Sequence, residues 1–255
     1  MLPVMDPKAF IDVLRTQGER LGDALTGVAL TTAVPSCPEW TVRDLLLHVG
    51  GIHRWAATVV GEARGGPLGI EQPYHIVPEL PADDELLGWY RDGHAALVRT
   101  LERAPADLVC WQFRPGPSPL AFWARRQAHE TTIHRVDAEL ATGRPTPVAP
   151  GLADDGVDEL LTCFGSSRLR ADPEQTLHVH ATDTGGHWLL RIRPDELVAA
   201  RVPGDVAADV SVSGPACALY YALWNREPWD ALTTTGTTVA DLAATWASHV
   251  GVRWG

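Results

Sequence analysis

Between Asp6 and about residue 30, Phe10, Leu14, Leu21, Leu25 and Val28 recur at three, four or seven residues, the spacing of one helical face. The breaker-rich AVPSCPEW interrupts that pattern. Thr41 then opens VRDLLLHVGGIHRWAATVV with Asp44 three residues on, which predicts a second helix starting at Thr41, capped with Asp in place of the usual Glu or Gln. Gly50 and Gly51 lie inside it. Because glycine lowers helix propensity, they predict close approach of a neighbouring backbone. GEARGGPLGIEQPYHIVPELPADD is aperiodic and rich in Gly and Pro, a surface connection by composition. Asp83 or Asp84 should cap a third helix reaching about Ala104, with Leu87, Tyr90, His94, Leu97 and Leu101 on one side. A fourth is expected from about Leu120 to Thr142, closed by Gly143 and Pro145. Four amphipathic helices in roughly 140 residues make a bundle.

Past PTPVAPG the period changes. A helix from Leu152 to about Phe164 precedes TLHVHATD, GHWLLRIRP and ADVSVSG, all of strand character, and then the helical stretches PACALYYALWN and TTVADLAATWASHV. This mixture predicts α+β. The expected fold class is thus α + α/β, with a four-helix bundle over residues 1–147 and a small α+β domain over 148–255, the boundary falling near 144–152.

With 45% apolar and 21% charged residues the chain has the composition of a globular protein able to bury a core. Its 21 Lys plus Arg against 32 Asp plus Glu give −11, which argues against a phosphate-backbone partner. The start, MLPVMDPKAF, lacks a basic segment leading into an apolar one, and no run approaches a membrane span, so a cytoplasmic protein with no membrane partner is expected. Cys37, Cys110, Cys163 and Cys217 form no Cys-x-x-Cys pair and read as reduced, mostly buried thiols.

The fourth helix carries His129-Glu130-Thr131-Thr132-Ile133-His134. Its two histidines are five apart, about 140° away from each other on the helix, so they do not reproduce the four-residue spacing of His-Glu-x-x-His zinc sites. Glu130 and His134 are four apart and differ by about 40°, which sets a carboxylate and an imidazole on one face. A third ligand should come from a facing helix. His48, between Leu45 and Ile52 on the apolar stripe of the second helix, is the candidate, its alternative being a buried imidazole bonded to a neighbour. A His₂Glu set suits Zn²⁺ or another first-row divalent ion and leaves a position open for chemistry. Trp123, Gln127 and Asp137 follow the same face and could bond to the ligands or wall the pocket. Asp137 would orient His134 or pair with an Arg. His178 and His180 share one face of a strand but find no third ligand nearby in sequence, and read as a solvated face.

CPEWTVRDLLLHVGGIHRWA, followed about 80 residues later by ARRQAHETTIHRVDAELATGRP, resembles the metal-binding domain of mycothiol-dependent maleylpyruvate isomerases, a DinB-like four-helix bundle. SGPACALYYALWNREPWD is similar to that family's C-terminal domain, which is related to sterol carrier proteins. The resemblance implies a divalent metal, Zn²⁺ foremost, on His48, Glu130 and His134, with the actinobacterial thiol mycothiol as cosubstrate. It further implies cis–trans isomerisation of an activated alkene, or S-transfer to a small electrophile. Trp123 and Gln127 would line the cofactor site, and Arg226 matches an arginine the family uses in catalysis, with Arg126 a second cation for an anionic substrate. Cys37 then belongs to the cap of the second helix rather than acting as a nucleophile. The chain departs from the family at Glu39 and Asn225, where Gly is common, and Asn225 puts the substrate specificity in question. Two other readings stay open: a metal-dependent hydrolase, and a non-catalytic ligand-binding protein that keeps the fold.

Overall fold

The computed structural model describes residues 6–68, 73–114, 116–143, 145–164, 169–236 and 239–249; the connection after the second helix thus lies partly outside the described residues, at 69–72. The chain divides into two compact units, one ending at Thr146 and the other beginning at Pro147.

The first unit contains α1 (Pro7–Ala24), α2 (Val42–Gly61), α3 (Leu86–Arg103) and α4 (Pro119–Ala141), with α1 packed along α4 and α2 along α3. α1 is capped by Asp6, whose carboxylate accepts from the Ala9 amide at 2.8 Å, and it stops six residues short of expectation. Gly27 there adopts φ 75°, turning the chain although Leu25 and Val28 keep the apolar spacing. α2 starts as the spacing of Thr41 and Asp44 predicts, with both halves of the capping box formed. The Gly50 carbonyl faces the backbone of Gly93 on α3, where a Cβ would come within 3.3 Å of it, so a neighbouring backbone does approach; the place of a Cβ at Gly50 itself is filled by a side chain. The indole of Trp89 occupies the place of a Cβ, held there by the Arg54 guanidinium 3.8 Å above its ring. α3 has Glu85 at its N-cap with no side-chain cap, because Asp83 is taken by Arg43 Nε at 2.8 Å. α4 begins behind Ser118 and Pro119 and ends before Gly143, whose φ of 68° allows the turn.

Two apolar cores fill the ends of this bundle. One gathers Phe10, Leu14, Val59, Leu97, Phe122 and Trp123; the other gathers Leu21, Leu45, Leu46, Val49, Leu86 and Tyr90. In sequence, His53 on α2, His94 on α3, and His129, Glu130, Thr131 and His134 on α4 fall between them, while His48 adjoins the second core between Leu47 and Val49; all are buried. A polar layer is therefore enclosed between two dry ones, and polar groups so placed must find partners.

The second unit begins with α5 (Pro150–Glu159), which runs on into a wider turn over Leu160–Phe164. Five strands follow in the order β3-β2-β1-β4-β5: β1 (Gln175–Ala181), β2 (Gly186–Ile192), β3 (Leu197–Arg201), β4 (Val210–Gly214) and β5 (Thr233–Gly236). β1 is antiparallel to β2 and parallel to β4. Two helices complete the unit, α6 (Ala216–Leu223) and α7 (Val239–His249). Leu177, Val179, Trp188, Leu190, Val210 and Val212 bury one sheet face, and Asp158 of α5 accepts from the Trp188 indole N–H at 2.9 Å. β3 and β5 are additions to the three expected strands. Of the four cysteines, none disulfide-bonded, only Cys110 is buried; Cys37, Cys163 and Cys217 are partly exposed, against the expectation of mostly buried thiols.

Candidate metal centre

Glu130 and His134 stand on successive turns of α4, and α2 presents His48 to them. Glu130 Oε1 lies 3.3 Å from His48 Nε2 and 3.3 Å from His134 Nε2, and the three donor atoms all fall within 4.8 Å of one another. All three side chains are at most 7% exposed.

Each donor is aimed by a partner. Asp137, fully buried, accepts from His134 Nδ1 at 2.8 Å, and since a carboxylate can only accept, the proton of the neutral ring sits on Nδ1 and the Nε2 lone pair turns toward Glu130. Ser36 Oγ donates to the other Asp137 oxygen at 2.6 Å, and Cys37 Sγ lies 3.8 Å from Oδ2, so the loop before α2 clasps the same carboxylate. Arg126 Nη2 donates to Glu130 Oε2 at 2.8 Å, which leaves Oε1 as the oxygen facing the histidines. Trp40 covers both imidazoles, its ring 4.8 Å from that of His48 and 5.9 Å from that of His134.

Burial pulls the His48 pKa down, outweighing the pull of Glu130. Burial would also raise Glu130, yet hydrogen bonds from His134 and His48 and the charge of Arg126 hold it well below the usual carboxylate range. For His134 burial is again the largest influence and lowers the pKa, but Asp137 and Glu130 together raise it above the ordinary histidine value. The space between Nε2 and Oε1 thus attracts a positive charge, a proton or a metal ion. At ordinary bond lengths of about 2.1 Å, donors 3.3 Å apart subtend about 105° at an ion, close to a tetrahedral angle. The residues fit a divalent ion of the zinc type.

The other expected residues are placed as follows. Trp123 is fully buried, its indole N–H donating to the Trp111 carbonyl at 2.9 Å among Trp55, Phe113 and Phe122, so it packs the apolar core. Gln127 is buried one turn before Glu130 and two turns before His134, with an Oε1 that finds no partner among the described residues. Arg226 follows α6 in the second unit and donates to the Trp224 carbonyl at 2.7 Å. Asn225 before it has φ 58°, a left-handed conformation that Gly and Asn adopt more readily than other residues. His129 points away from Glu130 and meets the Phe10 ring at 5.8 Å, while His53 bonds Thr131 Oγ1 at 2.9 Å and His94 donates to the Leu14 carbonyl at 3.0 Å. The expectation that His178 and His180 lack a third partner is overturned. The β1–β2 register sets His187 opposite His180, and His187 Nδ1 comes 3.1 Å from His178 Nε2. The signal lies in two strands that alternation marks one at a time, whereas the third ligand depends on their pairing.

A helical bundle with a His–Glu–His donor set across two helices, together with a small α+β unit, defines a two-domain protein with a candidate metal centre. The family model described as the mycothiol maleylpyruvate isomerase N-terminal domain matches residues 12–139, and the one described as the MDMPI C-terminal domain matches residues 164–247. The chain belongs to the mycothiol-dependent maleylpyruvate isomerase family, a family of enzymes. A crystal structure of the mycothiol-dependent maleylpyruvate isomerase has the same fold, with a TM-score of 0.62 at 16% identity over 91% of this chain and 93% of that one. A histidine-to-alanine mutant of that isomerase gives 0.62 at 15% over the same shares. No curated protein matches the chain. No helix among the described residues is long and apolar enough to cross a membrane.

Proposed function

We propose that the chain is a mycothiol-dependent metalloenzyme that adds the thiol to an activated, anionic carbon–carbon double bond and, by rotation and elimination, isomerises it from cis to trans. The observation that carries this reading is the convergence of His48 Nε2, Glu130 Oε1 and His134 Nε2. These residues would hold the ion, Zn²⁺ foremost. When bound, a divalent ion lowers the pKa of a thiol at its open position, so that a thiolate is present at neutral pH. The protein supplies the rest. Asp137 keeps the His134 lone pair directed inward, Arg126 neutralises the second Glu130 oxygen, and Trp40 shields both imidazoles from water. Gln127, with a buried amide oxygen, offers a hydrogen-bond acceptor on the same helix face. Arg226 is assigned to the substrate carboxylate, which draws electron density from the double bond only if its own charge is matched. S-transfer to an electrophile shares the first step and differs in lacking elimination. A cytoplasmic location fits a reaction that needs a reduced thiol.

Metal content of the purified protein, measured beside His48→Ala and His134→Ala, tests the triad. Both variants should lose the bundle ion and the thiol-dependent activity together; full metal retention by both refutes the assignment. Arg226→Ala should keep the metal while raising KM for an anionic substrate. Turnover without any thiol would favour hydrolysis instead.

A further inference from the structure

The second unit holds a cluster of nitrogen and oxygen donors that the bundle chemistry does not use. His178 and His180 alternate along β1 and so share the sheet face opposite Leu177 and Val179, and the hairpin register adds His187 from β2 directly across from His180. The three rings are nearly parallel: His180 and His187 lie 4.0 Å apart with planes 9° apart, and His178 and His187 lie 5.2 Å apart with planes 6° apart. Asp205, in the connection between β3 and β4, places Oδ1 3.7 Å from His187 Nδ1. That connection is anchored where it leaves β3, because the Val202 amide donates to the His187 carbonyl at 2.9 Å.

A solvated strand face would let its imidazoles turn away from one another. Here His178 Nε2 and His187 Nδ1 come within 3.1 Å and share one proton in a hydrogen bond, the proton an ion would displace; a carboxylate oxygen stands beside them, and the three atoms lie within 4.8 Å of one another. We propose that His178, His187 and Asp205 form a second metal site, taking a borderline first-row divalent ion (Zn²⁺, Ni²⁺ or Cu²⁺), with His180 stacked against it as a wall. At bond lengths of about 2.1 Å, nitrogens 3.1 Å apart subtend about 95° at an ion, between the square and tetrahedral angles that these ions accept. Asp205 Oδ1, 3.7 Å from His187 Nδ1, would subtend about 125° at the same bond lengths, and its side chain, 87% exposed, is free to move toward the tetrahedral angle. The two nitrogens come from different strands of one hairpin, so an ion here would cross-link β1 to β2. Ions that prefer oxygen donors, Ca²⁺ and Mg²⁺, would not be retained on a site two-thirds nitrogen.

The site is tested by equilibrium dialysis of the whole chain against micromolar Zn²⁺, with bound metal counted in the wild type, His187→Gln, Asp205→Asn, His48→Ala and the His48→Ala/His187→Gln double variant. The wild type should hold one ion per chain more than His187→Gln, and His48→Ala should hold one more than the double variant. That difference reads the sheet site whether or not the bundle triad is loaded. Asp205→Asn, exposed enough to leave folding untouched, should weaken the second ion by about tenfold or more. Cu²⁺ bound to His48→Ala should show hyperfine coupling to two nitrogens in its electron paramagnetic resonance spectrum. Equal occupancy in wild type and His187→Gln, or undiminished affinity in Asp205→Asn, overturns the proposal.

Discussion

Asp137 shows how much a single buried carboxylate decides at the candidate centre. It is no donor to the space between the triad atoms, yet it fixes which nitrogen of His134 carries the proton and raises the basicity of the other. Asp137→Asn should therefore weaken metal binding by roughly ten- to a hundredfold in dialysis while the circular dichroism of the helices is kept. The raised pKa of His134 sets a sign as well. In the metal-free protein the protonated ring bonded to Asp137 and Glu130 stabilises the fold fully below the ordinary histidine pKa of about 6.5, and that stabilisation is lost as pH rises through the raised value. A metal must displace the same proton, so its affinity, and the stability it confers, grows over that interval. Thermal melts across pH, with and without a chelator, should show opposite slopes. Asn225 carries the converse lesson. Its identity alone puts the substrate specificity in question and says nothing of the left-handed turn it holds, a requirement that favours Gly or Asn and is invisible without φ.

Among elements, α4 was the most legible and the most informative. The four-residue interval between Glu130 and His134 defines their shared face, and a capping pair defines where α2 begins and hence that His48 sits two turns inside it. Other boundaries are obscured: Asp83 is drawn off to Arg43, and α1 ends at Ala24, ahead of a left-handed turn at Gly27, although apolar residues continue past it. The unexpected strands β3 and β5 are the two edges of the sheet, short and mostly exposed, so neither shows the buried alternation that marked β1, β2 and β4. The third histidine of the sheet cluster was missed for a related reason, since pairing register belongs to two strands at once. Gly50 offers a test at this scale. Gly50→Val must displace Trp89 from beneath Arg54, and we expect a loss of about 1–3 kcal/mol in denaturant unfolding. Because Gly50 is two residues from His48, metal affinity should fall with it.

As a whole molecule the chain comprises two compact units, and the three donors His48, Glu130 and His134 all belong to the first. Its ion should therefore stabilise that unit alone. Stripping metal with a chelator should lower the melting transition of the helical unit, by about 2.7 kcal/mol if the ion had been held at a hundred times its Kd, and leave the transition of the α+β unit to the sheet site alone. Calorimetry of the wild type and of His187→Gln separates the two contributions. The chain as a whole carries −11 and so gathers cations of every kind from its surroundings, abundant magnesium among them. Arg126 bears on which of them stays. By occupying one oxygen of Glu130 and matching its charge, it leaves a visiting cation a single oxygen donor and little net negative charge, less than hard, strongly hydrated ions need in exchange for their water. Two nitrogens and one oxygen so disposed would suit a scarce transition metal better than a plentiful hard competitor, and would act on the mixture as a filter.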